Sequence, residues 1–285
     1  MSAVFSFGEL LWDLFPDAKK PGGSPANVAY HLHALGHQSS LITRVGSDPL
    51  GEEITRFIRE KGLSDRFIQR DETLPTGTVT VSFDADEPSY TIHEPAAWDA
   101  IAWTDEMAAA VAKADAVCYA SLSQRRERSA ATLQQLLKHA PESALRVFDL
   151  NLRPPFVDKE QTLANIEQAD VIKCNEEEFE QVAEWLGADE LPAALLQRHP
   201  KMVILQTLGA RGSRMYRSEG VFEASAAPIR DGGDFVGVGD AFLACVVHLL
   251  LAGEPNDSLL PKANRYAAEV ACHRGGMPPV GGVDG

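Results

Sequence analysis

Strand-like and helix-like stretches alternate along almost the whole chain, and that rhythm limits the fold more than any other feature. Short β-branched or aromatic runs at 4–7 (VFSF), 39–45 (SSLITRV), 116–120 (AVCYA), 145–150 (LRVFDL), 169–174 (ADVIKC) and 201–207 (KMVILQT) read as strands. Between them, helical patterns cover 26–35, 51–62, 129–140 and 176–186. Within 51–62, Ile54, Phe57 and Ile58 stand at i, i+3 and i+4, one face of a helix. Such repetition predicts right-handed βαβ units, an α/β fold with a mainly parallel sheet covered on both faces. A near-continuous apolar strand such as MVIL suits that double burial.

One region breaks the rhythm. After Pro75, TGTVTVSFDADEPSYTIH alternates polar and apolar residues around an acidic turn from Asp84 to Pro88, which predicts a β-hairpin. A second hairpin is expected at 12–22, where LWDLFP meets the turn-rich DAKKPGG. Together, about 12–22 and 75–98 should form a small β lid on one domain spanning 1–285. The residues after Met277, PPVGGVDG, are expected to be a loose tail.

Composition narrows the partners. With 26 basic and 41 acidic residues the chain carries a net charge of −15, a field that repels nucleic acid. The four cysteines, Cys118, Cys174, Cys245 and Cys272, show no CxxC pairing and read as buried thiols in a reducing compartment. The start, MSAVFSFGELLWD, lacks the basic segment of a signal peptide, and the longest apolar stretch, 241–253, contains His248 and is too short to span a bilayer. A cytoplasmic protein with no membrane partner is expected. GxxxxGK[ST], a GxGxxG after the first strand, GxSxG and zinc-type Cys/His clusters are all absent, which argues against a Walker-type loop, a dinucleotide fold, an α/β-hydrolase and a zinc site.

The segment 234–242, DFVGVGDAF, leads into the apolar helix AFLACVVHLLLAG. Gly237 and Gly239 allow a sharp turn, after which free N–H groups at the helix start and the helix dipole favour an anion. Asp240 stands beside those donors and could accept a hydroxyl proton while they stabilise a phosphoryl group. A carboxylate suffices as the base, because a loose phosphoryl-transfer transition state needs little early deprotonation. Taken alone, the segment reads first as a helix capped by Asp240 with the glycines as a turn. The second segment, PGGSPAN at 21–27, opens another helix, with Ser24 as its expected N-cap, Pro25 at the first helical position, and Asn27 offering a donor and an acceptor.

Together these segments resemble the signatures of the ribokinase/PfkB family of carbohydrate kinases. Further pieces follow in order: VGSDPLG at 45–51, NEEE at 175–178, TLGARG at 207–212 and RGGMP at 274–278. Within the family GELLWD at 8–13, with Pro16, AWD at 97–99 and DLNLR at 149–153 look most like fructokinases. The resemblance implies a ribokinase-like, three-layer α-β-α (Rossmann-like) core and ATP-dependent phosphorylation of a sugar hydroxymethyl group, with Mg²⁺ and an Asp base. By that analogy Asp240 is the base, and the amides of Gly237, Val238 and Gly239 form the anion hole. Asp13, Gly23 and Asn27 bind the sugar; Arg153, just past the end of the expected strand at 145–150, meets sugar or phosphate, with Arg125 as the weaker candidate. Asn175, Thr207, Gly209 and Gly212 border the nucleotide, while Glu178 serves the metal, although Asn175 and Glu178 also fit a capping box. Asp48 before Pro49 reads as an N-cap. Relatives often dimerise through the lid, so the resemblance implies a homodimer paired at an exposed lid edge. The family's usual D-T-x-G-A-G-D is departed from at Phe235 and Val238: the first counts against potassium activation, and the second adds bulk beside the phosphate. Fructose is the leading acceptor. The alternatives are a 2-keto-3-deoxy sugar acid, ribose or a nucleoside, and a non-catalytic sugar- or nucleotide-binding relative.

Overall fold

Strands this apolar must be covered on both faces, and they are. The computed structural model describes residues 1–84, 87–230 and 233–283. In chain order its strands are β1 (Ala3–Phe7), β2 (Leu11–Leu14), β3 (Lys19–Gly22), β4 (Gln38–Gly46), β5 (Ile68–Asp71), β6 (Gly77–Asp84), β7 (Glu87–Ile92), β8 (Ala116–Ala120), β9 (Leu145–Asp149), β10 (Val171–Asn175), β11 (Val203–Thr207), β12 (Ser213–Arg217) and β13 (Gly220–Ala224). The large sheet runs β13-β12-β11-β10-β9-β8-β1-β4-β5. From β11 to β5 every neighbouring pair is parallel, and β12 and β13 close the far edge as antiparallel strands.

The period-2 alternation of each strand divides the core into two layers. Val4, Ala116, Val147, Val171 and Val203 face helices Ser24–Ala34, Val238–Leu251 and Asn256–Ala271. Phe5, Val117, Phe148, Ile172 and Ile204 face helices Asp105–Val111, Glu127–His139, Lys159–Gln168, Glu176–Leu186 and Leu191–Arg198. Helix Val238–Leu251 is apolar almost all round because it lies between the sheet and both helices of its own layer. Leu243, Val246, Val247 and Leu249 are buried there, each worth about 1.5–3 kcal/mol relative to exposure.

The chain enters at β1, adds β4 on one side and later β8 on the other. That reversal opens a crevice at the carboxyl ends of β1 and β8, where doubly wound sheets bind ligands. The small sheet, ordered β3-β2-β6-β7, leaves the large one at this end of β1. Both expected hairpins form, β2 with β3 and β6 with β7, and β2 joins them by pairing parallel to β6. Part of the acidic turn expected from Asp84 to Pro88, residues 85–86, lies outside the described residues. Asp48 is the N-cap of helix Pro49–Glu60, accepting from Gly51 N, and also accepts from the backbone and hydroxyl of Thr76 at the foot of the small sheet.

Some expectations need correction. Ser24 is not an N-cap: Gly23 occupies that position without a side-chain cap, which releases the Ser24 hydroxyl for another partner. The tail is not loose as far as it is described: Pro278 is buried, Val280 and Val283 pack on the core, and Gly281 N donates to Glu269. Cys118, Cys174 and Cys245 are buried, but Cys272 is half-buried. Among the described residues no helix is long and apolar enough to cross a membrane.

Candidate active site

Helix Val238–Leu251 begins at Gly237, whose φ of 73° is left-handed. A Cβ there would stand 2.6 Å from the Gly276 Cα, so both the conformation and the close approach require glycine. The N–H groups of the helix's first turn have no intrahelical acceptor, and no side chain caps them. Asp240 lies in this turn. Its Oδ1 accepts from the Ser24 hydroxyl at 2.7 Å and its Oδ2 from Asn27 Nδ2 at 2.8 Å. Two helix N-termini thus meet at one carboxylate whose direction is fixed from both oxygens.

Asn27 is wedged against Gly276 and Gly237, and its Oδ1 is buried without a hydrogen-bond partner. His31, one turn further on, holds Gly276 in place. Its Nε2 lies 3.0 Å from the Gly276 carbonyl and its Nδ1 3.0 Å from the Tyr266 hydroxyl. Nε2–H therefore donates to the carbonyl and Nδ1 accepts, a neutral tautomer that agrees with burial lowering the pKa of His31 to about 4.

The other expected residues divide into groups. Asp13 on β2 leans over Gly22 and faces Lys20 across the hairpin. Burial raises its pKa to about 6, Lys20 opposes the rise and Asp234 adds to it. Lys20 also pairs with Asp234, so the small sheet is tied directly to the loop before the helix. Gly23, at φ 109°, would place a Cβ 2.3 Å from the Glu9 carbonyl oxygen. Asp13, Gly23, Asn27, Gly237, Val238, Gly239 and Asp240 therefore belong to one continuous neighbourhood. Arg153 does not join it by contact: its guanidinium is exposed and donates to the Leu152 carbonyl.

Thr207, Gly209 and Gly212 do converge with the helix start. With Val238, Gly239, Phe242 and Asn264 they line a mostly apolar pocket of about 220 Å³. The Val238 side chain packs on the core and forms part of this wall. Asn175 and Glu178 complete the capping box: Asn175 Oδ1 accepts from Glu178 N at 2.8 Å and Glu178 Oε2 from Asn175 N at 2.9 Å. Glu178 Oε1 accepts from Leu152 N as well.

Among the described residues no group of three or more His, Cys, Asp and Glu side chains could hold a metal alone. Magnesium carried on phosphates needs only one or two carboxylates and water. With both oxygens of Glu178 taken by backbone donors, the fit is to a hydrated ion and not to a bare one.

Several residues at the site were given no role there by the sequence. Ser24 and Gly276 are two, Lys173 is a third, and Glu9 is a fourth. Glu9 follows β1 and is 2 % exposed, with Oε2 buried and unpartnered. Burial raises its pKa to about 7; nearby Asp240 adds to the rise, while Arg153 and backbone N–H groups oppose it. A raised carboxyl binds its proton more tightly folded than unfolded, so stability falls as pH climbs from about 4.5 towards 7. The drop amounts to about 3 kcal/mol from a shift of this size. Glu9→Gln should therefore melt several degrees above wild type at pH 8, with the gap closing near pH 4.5. Melting curves across that range check it, and a gap independent of pH contradicts it. Arg125, a candidate sugar ligand from the sequence, lies outside this neighbourhood: its side chain is buried against Asp99, Trp98 and Phe156.

Residues 7–280 match the pfkB family carbohydrate kinases, and the chain belongs to that family. It is 32 % identical to the fructokinase of Escherichia coli over 259 residues, 86 % of this chain and 83 % of that one. An uncharacterized sugar kinase of Pyrococcus horikoshii, solved in complex with ATP, is 29 % identical with a TM-score of 0.79 over 96 % of this chain and 94 % of its own. The fructokinase of Xylella fastidiosa with bound ATP shares the fold, with a TM-score of 0.86 at 23 % identity over 99 % and 96 % of the two chains.

Proposed function

We propose that this carbohydrate kinase transfers the γ-phosphoryl group of ATP to a hydroxymethyl group of fructose. The observation that carries the reading is the Asp240 carboxylate, fixed by Ser24 and Asn27 beside the open N–H groups of the helix start. On one side lies an apolar pocket suited to a purine, lined by Thr207, Gly209 and Gly212. On the other, Asp13 and Gly23 offer acceptors and a close backbone for sugar hydroxyls. The ATP complex of the P. horikoshii relative supports the nucleotide, and the E. coli fructokinase supports the acceptor.

In the proposed step Asp240 accepts the hydroxyl proton as the sugar oxygen bonds to the γ-phosphorus. The bond from that phosphorus to the bridging oxygen breaks, and ADP leaves. The amides of Gly237, Val238 and Gly239 hold the oxygens in transit. Asn175 and Glu178 would hold a hydrated magnesium ion through its water shell, and that ion would supply charge neutralisation for the phosphates. The small sheet serves as a lid that excludes water, with Lys20–Asp234 coupling it to the loop.

An acidic sugar, such as a 2-keto-3-deoxy acid, is the second reading, favoured by the Arg153 guanidinium, whose charge acts on Glu9 beside Asp240. ADP release measured with fructose, glucose, ribose, a 2-keto-3-deoxy sugar acid and adenosine separates them. The expected kcat/KM for fructose exceeds every other by at least about tenfold, more than 1.4 kcal/mol of discrimination. A higher value for the acid selects the second reading, and no acceleration by any acceptor rejects both.

A further inference from the structure

We propose that Lys173 is a further catalytic residue, its ammonium forming a cationic floor under the phosphoryl group in transit. The inference rests on the phosphotransfer reading above but adds a group that reading does not use.

Lys173 is the third residue of β10, and strand alternation turns it with Val171 towards the layer of helix Val238–Leu251. It is 8 % exposed, with apolar Ile172 and Cys174 flanking it in the strand. Its Nζ lies 3.0 Å from each Asp149 carboxylate oxygen. The same atom lies 3.3 Å from where a Cβ on Gly239 would stand, against the helix turn that carries the proposed anion hole. Asp149 and Ser24 line one small cavity, which places the pair on the Asp240 side of the sheet edge. Burial alone would lower the lysine's pKa, but Asp149, Glu178 and Asp240 together hold it above the ordinary value, so the charge is permanent near neutrality.

A buried ion pair is weak grounds for stability, since an apolar pair of similar volume often does as well. This one sits where charge develops in the reaction. An ammonium has three N–H donors, and the two oxygens of Asp149 leave at least one for a phosphoryl oxygen. Lysine serves phosphates as a point charge in this way. As the bond to ADP breaks and the bond to the sugar forms, Lys173 keeps its proton and offsets charge on the transferring oxygens. Asp149 is the positioning residue that holds it there.

Lys173→Met leaves Asp149 buried and unpaired, so it is compared with the double variant Lys173→Met/Asp149→Asn, in which no charge is stranded. The double variant should melt within a few degrees of wild type and keep its fructose KM within about threefold. Its kcat should fall about 10²–10³-fold, the usual loss for a preorganised donor at developing charge. Calorimetry on the same proteins, which needs no turnover, should show ATP affinity about tenfold weaker and adenosine affinity unchanged. A double variant with wild-type kcat and wild-type ATP affinity would overturn the proposal and leave the pair purely structural. Should wild type phosphorylate no acceptor, the phosphotransfer reading fails on its own, and the contrast between ATP and adenosine still decides whether Lys173 meets phosphate.

Discussion

Replacing Asp240 by Asn is expected to lower kcat by roughly 10²–10⁴-fold, the range for loss of a positioned general base. An amide cannot take the hydroxyl proton, yet its volume matches the carboxylate, so the substitution isolates the chemistry. The local network can absorb it: the Ser24 hydroxyl can still donate to the remaining carbonyl oxygen. The Asn27 amide, whose Oδ1 is buried without a partner, can turn to accept from the new NH₂. The variant should therefore keep its melting temperature within a few degrees and its KM for ATP within about threefold. Coupled assays of ADP release on both proteins give the comparison. A kcat within tenfold of wild type would remove Asp240 from the role.

Arg125→Ala is expected to act on stability with a comparably large effect. The guanidinium is bidentate to Asp99 at 2.7 and 2.9 Å, with side-chain exposures of 2 % and 5 %. It also lies 4.0 Å from the Trp98 ring centroid and 4.6 Å from that of Phe156. A further hydrogen bond to the His93 carbonyl ties the end of β7 to the body. Removing one partner strands a buried Asp99, which costs about 3–5 kcal/mol before the lost stacking is counted. For a chain of this size that is a fall of roughly 6–20 °C in Tm. Calorimetric melting decides it, and an unchanged Tm would show that the pair is dispensable. Well below that Tm, the variant should retain kcat within about threefold, because Arg125 lies outside the phosphoryl site.

The contrast between these residues shows what a sequence can disclose. The strands at 116–120 and 145–150 were legible because apolar runs bounded by turn residues have few other uses, and the structure places them at Ala116–Ala120 and Leu145–Asp149. The helix start at Asp240 was legible because two glycines and an acid before an apolar helix make a local pattern. Ser24 was misread because a serine before a proline-led helix usually caps it, and its partner lies 216 residues away. Lys173 was hidden inside an apolar strand, and its meaning depends on Asp149 in the neighbouring strand and on Gly239 above it. Helix Asn256–Ala271 was missed because Pro261 interrupts the helical pattern that tertiary packing nevertheless enforces. Local chemistry can be read along the chain; partners brought together by the crossovers of a parallel sheet cannot.

The central claim is that an attacking sugar hydroxyl, the Asp240 carboxylate and the Gly237–Gly239 amides converge on one phosphorus. A crystal structure of the protein with fructose and a non-hydrolysable ATP analogue measures this most directly. The predicted result places a hydroxymethyl oxygen of fructose within about 2.6–3.2 Å of an Asp240 carboxylate oxygen, with the γ-phosphate seated on the helix start. A sugar bound with all its hydroxyls beyond reach of Asp240, or a γ-phosphate held away from those amides, would contradict it.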